Sequence, residues 1–216
     1  MLQSALPGCF AAGADISEFA ATYATAAELL RANQEIQDAV EALAACPLPT
    51  VALIDGPCVG GGVALALGCD LRLASERARF AVTPARLGLS YPPGDVARLV
   101  RACGRARAAE LLFAGQPWDA QRAAAAGLAN SVVPVAEFDA AAAALLEAIA
   151  ANSLDATRAL KQSLDAAESG DGEALAQARR TFEALFAGPD FVAGRDAFLA
   201  RQPAQFPSHR KAPESP

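Results

Sequence analysis

Three consecutive glycines, Gly60 to Gly62, stand in the stretch GPCVGGGVALALGCD between an apolar run, Val51 to Ile54, and a small-residue segment, Val63 to Gly68. Glycine weakens any helix or strand it enters and lets backbone approach another group closely. The run TVALI reads as a fully buried strand, Asp55-Gly56-Pro57 as a turn, and residues 61–68 as a short helix. The chain must therefore fold around a tight strand-to-helix turn that no side chain fills, which points to an α/β protein.

Three uses of that turn compete. A phosphate loop would need GxxxxGK[ST], and no lysine and hydroxyl follow the glycines; the spacing GxGxxG is also missing. A purely structural turn fits the spacing alone. The third use is an oxyanion hole. A backbone N–H at a helix start has no intrahelical partner and is partly positive, and two such groups converging on one oxygen would stabilise an enolate or tetrahedral oxyanion. This use needs a second donor. Residues 10–19, FAAGADISEF, offer one: Gly13 precedes a helical turn with Asp15 and Ser17 as capping candidates.

The rest of the chain reads as β/α first and helical last. Apolar residues Leu29, Leu30, Ile36, Val40 and Leu43 recur at helical spacing within residues 24–45, ended by Pro47 and Pro49. Residues 70–74 and 80–82 read as extended. Asp95 is the expected N-cap of a helix over 96–102. Further helices are expected over 105–113, 119–126 (ending at Gly127), 135–151, 154–168, 173–187 and 190–200, with an extended piece over 130–133. Residues 1–12 lack a strand pattern, and the proline-containing residues 203–216 are expected to form a loose tail.

Composition narrows the function. Hydrophobic residues make up 53% of 216, aromatics only 6%, and the net charge is −6. Nucleic acid is not an expected partner, and Arg98, Arg101, Arg105 and Arg107 read as a solvated helix face. The five cysteines, at 9, 46, 58, 69 and 103, form no CxxC and are expected to be small buried hydrophobes in a reducing cytoplasm. The one histidine, His209, lies in the tail, which weakens Cys/His or Ser/His/Asp catalysis. No zinc-ligand cluster, membrane span or signal peptide is read.

The two glycine segments together resemble the crotonase (enoyl-CoA hydratase/isomerase) superfamily. The matching pieces are FAAGADISEF, PLPTVALIDGPCVGGGVALALGCDLRLAS with ARFAVTPARLGL after it, GQPWDAQRAAAAGLANSVVP, and DFVAGRDAFLARQPAQF, in family order over residues 9–206. The resemblance implies a crotonase-like ββα spiral core over residues 1–134, a helical trimerisation or lid segment over 135–202, and a tail over 203–216. It implies an acyl-CoA thioester as substrate, coenzyme A as part of that substrate with no tightly bound cofactor, and a homotrimer or dimer of trimers. The family's two enolate-holding N–H groups fall on Ala14 and Gly61; losing one such donor costs about 3 kcal/mol in the transition state. The resemblance also places Ala12, Gly13, Asp15, Ile16, Gly60, Ala64, Pro84 and Leu87 against the substrate. Phe182 and Arg201 fall at positions for adenine and phosphate contacts; by themselves they read as core and as solvated.

The departures from the family pattern carry more information. Enoyl-CoA hydratases place one catalytic glutamate two residues after the glycine run, where Ala64 stands here. They place the second in F-x-x-P-E, where Phe80-Ala-Val-Thr-Pro84 puts Pro84. Hydration needs a paired acid and base, and neither residue moves a proton. The aspartate of dienoyl-CoA isomerases falls near Pro92. The segment FAVTPARLGLSYPP is similar to methylmalonyl-CoA decarboxylases, whose T-P-x-x-L-G-x-x-Y tyrosine lines the acyl pocket and corresponds to Tyr91. That branch has a histidine at position 14 and a glutamate at position 64, so the match is partial. Tyr91 also reads as a half-buried aromatic before a Pro-Pro turn, Arg86 as a substrate-carboxylate contact or a surface residue, and Asp15 as a helix cap. Family members usually carry a longer stretch ahead of A-G-A-D, including strands and a CoA-holding loop; thirteen residues precede Ala14 here. A late start or a truncation is expected, the latter exposing a sheet edge and weakening CoA binding. An enolate-stabilising enzyme favouring decarboxylation or isomerisation over hydration is the leading expectation, and a catalytically silent acyl-CoA-binding or assembly subunit is its rival.

Overall fold

A computed structural model describes residues 1–19 and 24–210. The chain divides into two compact units, Met1–Cys46 with Thr50–Ala142, and Pro47–Pro49 with Ala143–Pro216.

In the first unit, Thr25 accepts the Glu28 N–H and starts helix α1 (Ala26–Ala44). Strands β1 (Val51–Ile54) and β2 (Pro57–Val59) lead into α2 (Gly61–Leu67). Strands β3 (Leu71–Ser75) and β4 (Arg79–Ala81) lead through a 3-10 turn (Pro84–Leu87) into α3 (Pro93–Ala114). The short β5 (Trp118–Asp119), α4 (Ala120–Ala126) and β6 (Ser131–Val133) follow. One sheet runs β1-β3-β6, all parallel; the other pairs β2 parallel to β4 and β4 antiparallel to β5. Strands β1 and β2 enter different sheets and are followed by α2, and β3 and β4 do the same and are followed by α3, which gives the ββα spiral. All four residues of β1 are buried, as an unbroken apolar run in a covered parallel sheet requires. Ile54, Phe80, Leu99, Leu111 and Trp118 are each no more than 2% exposed; burying a side chain of this size stabilises by roughly 1.5–3 kcal/mol. Residues 1–12 contribute two single bridges, Leu2 to Ala52 and Ala11 to Cys58.

Helix α5 (Phe138–Ala150) crosses the division, and the second unit continues with α6 (Leu154–Ser169), α7 (Gly172–Leu185) and α8 (Pro189–Ala200). Among the described residues no helix is long and apolar enough to cross a membrane.

Three expectations are corrected. Asp95 is not an N-cap: Pro93 starts α3, and Asp95 sits inside its first turn, 2% exposed. Proline is preorganised for a first helical position, so the helix begins earlier than the cap signal suggested. Arg98 is not solvated: it is 8% exposed and paired with Glu41 at 2.6 Å and Asp95 at 3.3 Å. Residues 203–210 are not a loose tail. Pro207–Arg210 forms a 3-10 turn, and Ser208 is buried, its N–H donating to Asp190 at 3.0 Å; residues 211–216 lie outside the described residues. The expected break between helices 96–102 and 105–113 appears as a kink at Gly104 (φ 74°, ψ 158°). Of the free cysteines, Cys58 and Cys69 are buried, the other three partly so.

Candidate active site

The glycine turn is held from several sides. Gly60 adopts φ 53°, ψ −113°, a conformation costly for any residue with a Cβ. Its N–H donates to the Ala81 carbonyl at 2.9 Å, tying the turn to β4. Its carbonyl accepts the N–H of Val63 at 2.9 Å, the N–H of Ala64 at 3.3 Å and the Tyr91 hydroxyl at 3.0 Å.

The neighbouring glycines differ in their surroundings. A Cβ on Gly61 would meet nothing within 4 Å, so this residue faces open space. A Cβ on Gly62 would lie 2.8 Å from both the Cβ and the carbonyl oxygen of Ala11. Gly62 is thus the point where residues 10–14 come up against the turn. That segment is docked on β2: the N–H groups of Phe10 and Ala11 donate to the Pro57 carbonyl at 3.0 and 2.9 Å, and Val59 donates to Ala11 at 2.9 Å. Three residues on, Ala14 follows Gly13 (φ 99°), whose Cβ position is 3.2 Å from the Val59 carbonyl. Asp15 then accepts the Ser17 N–H at 2.9 Å and its hydroxyl at 2.6 Å and caps the 3-10 turn Ile16–Glu18, as its sequence position suggested. These bonds hold its carboxyl below the usual range. Among the described residues no acceptor pairs with the N–H of Ala14 or of Gly61.

Tyr91 is buried rather than half-buried, at 8% exposure. Burial, with the Asp95 charge next, pushes its hydroxyl far above its ordinary value, so it stays a neutral donor. Its ring borders a cavity of about 610 Å³ lined by Phe19, Leu29, Ile36 and Leu89, with the amides of Asn33 and Gln37 as polar groups. Behind Tyr91, Gln37 donates to the Asp95 carboxylate at 3.3 Å, and Arg98 bridges Asp95 to Glu41. Burial raises the Asp95 pKa. Sequence reasoning missed this cluster; its one local signal was the Asp95, Arg98 pair one helical turn apart.

The remaining expected residues are placed as follows. Ala64 is 2% exposed, a methyl group in the wall of the turn. Pro84 opens the 3-10 turn and is partly buried, while Leu87 at its end is exposed. Ala12 and Ile16 are exposed. Arg86 is exposed, with its Nε 3.2 Å from the Cβ position of Gly115. Phe182 and Arg201 belong to the second unit. Phe182 is not core: it is 56% exposed and stacks edge-on against Phe186 at 5.3 Å, which meets Phe191 at 5.5 Å. These rings border an apolar cavity of about 660 Å³ within that unit. Arg201 is exposed and ends α8 in a left-handed conformation (φ 54°). His209 contacts the Asn152 carbonyl at 2.8 Å.

Comparison with known proteins identifies the family and the fold. The family model described as enoyl-CoA hydratase/isomerase matches residues 1–209. The chain is 36% identical over 205 residues to the probable enoyl-CoA hydratase of Mycobacterium bovis, covering 93% of this chain and 77% of that one. An enoyl-CoA hydratase/isomerase family protein of Hyphomonas neptunium is 41% identical with a TM-score of 0.87, covering 92% of this chain and 76% of that one. The enoyl-CoA hydratase of Bacillus anthracis is 30% identical with a TM-score of 0.89, covering 95% and 80%. A spiral of ββα turns carrying a glycine run at its strand-to-helix junction, matched over nearly its whole length, makes this chain a member of the enoyl-CoA hydratase/isomerase family within the crotonase superfamily.

Proposed function

We propose that this chain processes acyl-CoA thioesters by stabilising a thioester enolate between the N–H groups of Ala14 and Gly61, with decarboxylation or isomerisation favoured over hydration. The observation that carries the reading is the close approach of Ala11 to Gly62, which brings a segment ending in an unpaired Ala14 N–H against a turn carrying an unpaired Gly61 N–H. Two donors aimed at one developing oxyanion are worth several kcal/mol in the transition state.

The names of the relatives favour hydration; the residues at two positions oppose it. Ala64 and Pro84 carry no titratable group, and adding water across a double bond needs an acid and a base. Decarboxylation of a malonyl-type thioester asks less. The bond from Cα to the carboxylate breaks, its electron pair enters the enolate, CO2 leaves, and a solvent proton quenches Cα. Isomerisation needs one proton shuttled between carbons. The cavity beside Tyr91 would take the acyl group, coenzyme A enters only as part of the substrate, and Phe182 and Arg201 are the proposed adenine and phosphate contacts, for this chain's own substrate or a neighbouring subunit's. Exposed apolar side chains in the second unit, among them Leu160, Leu164 and Phe186, support assembly into a trimer or a dimer of trimers.

The test offers crotonyl-CoA, methylmalonyl-CoA and a 3-enoyl-CoA to the purified protein. Turnover of either of the last two above that of crotonyl-CoA supports the reading, and preferred hydration of crotonyl-CoA refutes it. The lack of a carboxylate at positions 64 and 84 also favours a second reading, a catalytically silent acyl-CoA-binding or assembly subunit; retained CoA binding by calorimetry with no turnover of any substrate would support that one instead.

A further inference from the structure

We infer that Tyr91 is a positioning residue, one that aims the Gly61 N–H by holding the carbonyl of the preceding peptide and does not itself touch the reacting atoms. The inference rests on the oxyanion-hole reading above and adds to it.

The carbonyl of Gly60 and the N–H of Gly61 belong to one peptide unit. That unit is planar and trans, so its C=O and N–H point in opposite directions and turn together. The flanking residues are both glycines, which resist rotation of such a plane least. Whatever fixes the Gly60 oxygen therefore fixes the direction of the Gly61 N–H. Three donors reach that oxygen. Two are the turn's own N–H groups, from Val63 at 2.9 Å and, more weakly, from Ala64 at 3.3 Å. The third is the Tyr91 hydroxyl at 3.0 Å, from 31 residues along the chain. The phenol is the one side chain among them, and it approaches from the wall of the 610 Å³ cavity.

The same bond acts electronically. A donor on the carbonyl oxygen polarises the amide and strengthens its N–H as a donor in turn. This requires a neutral phenol, and burial keeps it neutral. With its proton committed to Gly60, Tyr91 is not available as an acid toward Cα, and its role is to keep one half of the hole aimed and polarised.

The test uses the full chain and 4-(dimethylamino)cinnamoyl-CoA, a push–pull thioester whose absorption moves to the red as its carbonyl accepts hydrogen bonds. The wild type is expected to shift the bound probe to the red, and Gly61→Pro, lacking the N–H, to remove the shift. Tyr91→Phe keeps the ring in the wall and is expected to shrink the shift while leaving the probe's Kd and the protein's Tm nearly unchanged. On the productive substrate its kcat falls about 10-fold, the worth of one neutral hydrogen bond, with KM steady. Fluorotyrosine at position 91, in a Tyr23→Phe background, is a stronger donor and is expected to enlarge the shift without any deletion. A full red shift in Tyr91→Phe, or a reduced one with fluorotyrosine, overturns the inference while leaving the hole intact. No shift in the wild type overturns both.

Discussion

Replacing Gly62 by alanine tests the contact on which the site is built. The new Cβ would sit 2.8 Å from the Cβ and from the oxygen of Ala11, whereas carbon atoms prefer about 3.5–4.0 Å. The Ala11 segment must retreat by about 0.7 Å or more to restore that spacing. Its bonds to β2, at 2.9 Å for Ala11 to Pro57 and 2.9 Å for Val59 to Ala11, would stretch to about 3.6 Å, beyond useful hydrogen bonding. Overpacking of this kind costs roughly 1–3 kcal/mol, against a helix-propensity gain near ~1 kcal/mol for losing a glycine. The net loss of ~1 kcal/mol lowers Tm by about 2–4 °C in a chain of this size. The functional loss should be larger, because misplacing a catalytic group by about 1 Å costs on the order of 100-fold. Gly61→Ala is the control. Its Cβ enters open space and its φ is not left-handed, so Tm should hold or rise while the methyl group obstructs the oxygen's approach and turnover falls. Thermal melts and turnover on the productive substrate read both. A Gly62→Ala protein with unchanged Tm and unchanged rate would refute the claim that this contact aligns Ala14 with Gly61.

Four further outcomes are expected. Burial raises the Asp190 carboxyl, but the Ser153 and Ser208 hydroxyls and the Ser208 N–H outweigh it and hold it below its usual range. The folded state therefore binds fewer protons than the unfolded one, and the stability gained is present above the unfolded value and lost as pH falls through the folded one. Asp190→Asn should cost about 1–3 kcal/mol at pH 7 in urea melts, with the difference from wild type vanishing in acid. Arg98→Met strips Asp95 of its cation and should cost about 3–5 kcal/mol. Because the Asp95 pKa is already raised by burial, that loss should grow as pH rises through it, measured as Tm against pH. Ala64→Glu puts a carboxyl at a position 2% exposed; it should destabilise by roughly 2 kcal/mol and gain no crotonyl-CoA hydration by absorbance. Finally, where the productive substrate is the malonyl-type thioester, kcat should be flat between about pH 7 and 9, since the proposed decarboxylation uses no general acid or base.

What the sequence revealed and what it hid divide along range. Strand β1 was legible because a strand buried on both faces is an unbroken apolar run, and the helix beginning at Asp119 and ending at Gly127 because its cap and stop are local. The turn at 60–62 was legible because Gly60 takes a positive φ and Gly62 has no room for a Cβ, both of which call for glycine. The role of Arg98 was not, because helical spacing shows that four arginines recur along α3 without showing which one meets Glu41, 57 residues away. The ordering of residues 203–210 was hidden for the same reason: Ser208 is held by Asp190, and Asp190 by Ser153, three residues that no local pattern links. Tyr91 was singled out by resemblance, but its bond to the Gly60 carbonyl depends on the folding of the Leu89–Pro93 loop over α2, which spacing alone does not give.

The chemistry follows from what surrounds the turn. Ala12, Gly13, Ala14, Gly60, Gly61, Ala64 and Pro84 offer backbone groups and no ionisable side chain. Among the described residues, the titratable groups around them include the Asp15 carboxylate, committed to Ser17, the Tyr91 phenol, kept neutral by burial, and Asp95, whose charge is matched by Arg98. A site of this composition stabilises a developing negative charge with fixed dipoles, which need no reorganisation when the charge appears. Apart from Asp15, the described side chains offer little with which to carry protons. Reactions that generate an enolate by losing a neutral fragment suit such a site, because the leaving group carries away what a base would otherwise remove. Reactions that need a proton delivered and another withdrawn on the same face do not. On the proposed mechanism, the two residues that depart from the hydratase pattern, Ala64 and Pro84, remove the same capability, and the phenol of Tyr91 would strengthen the one that remains.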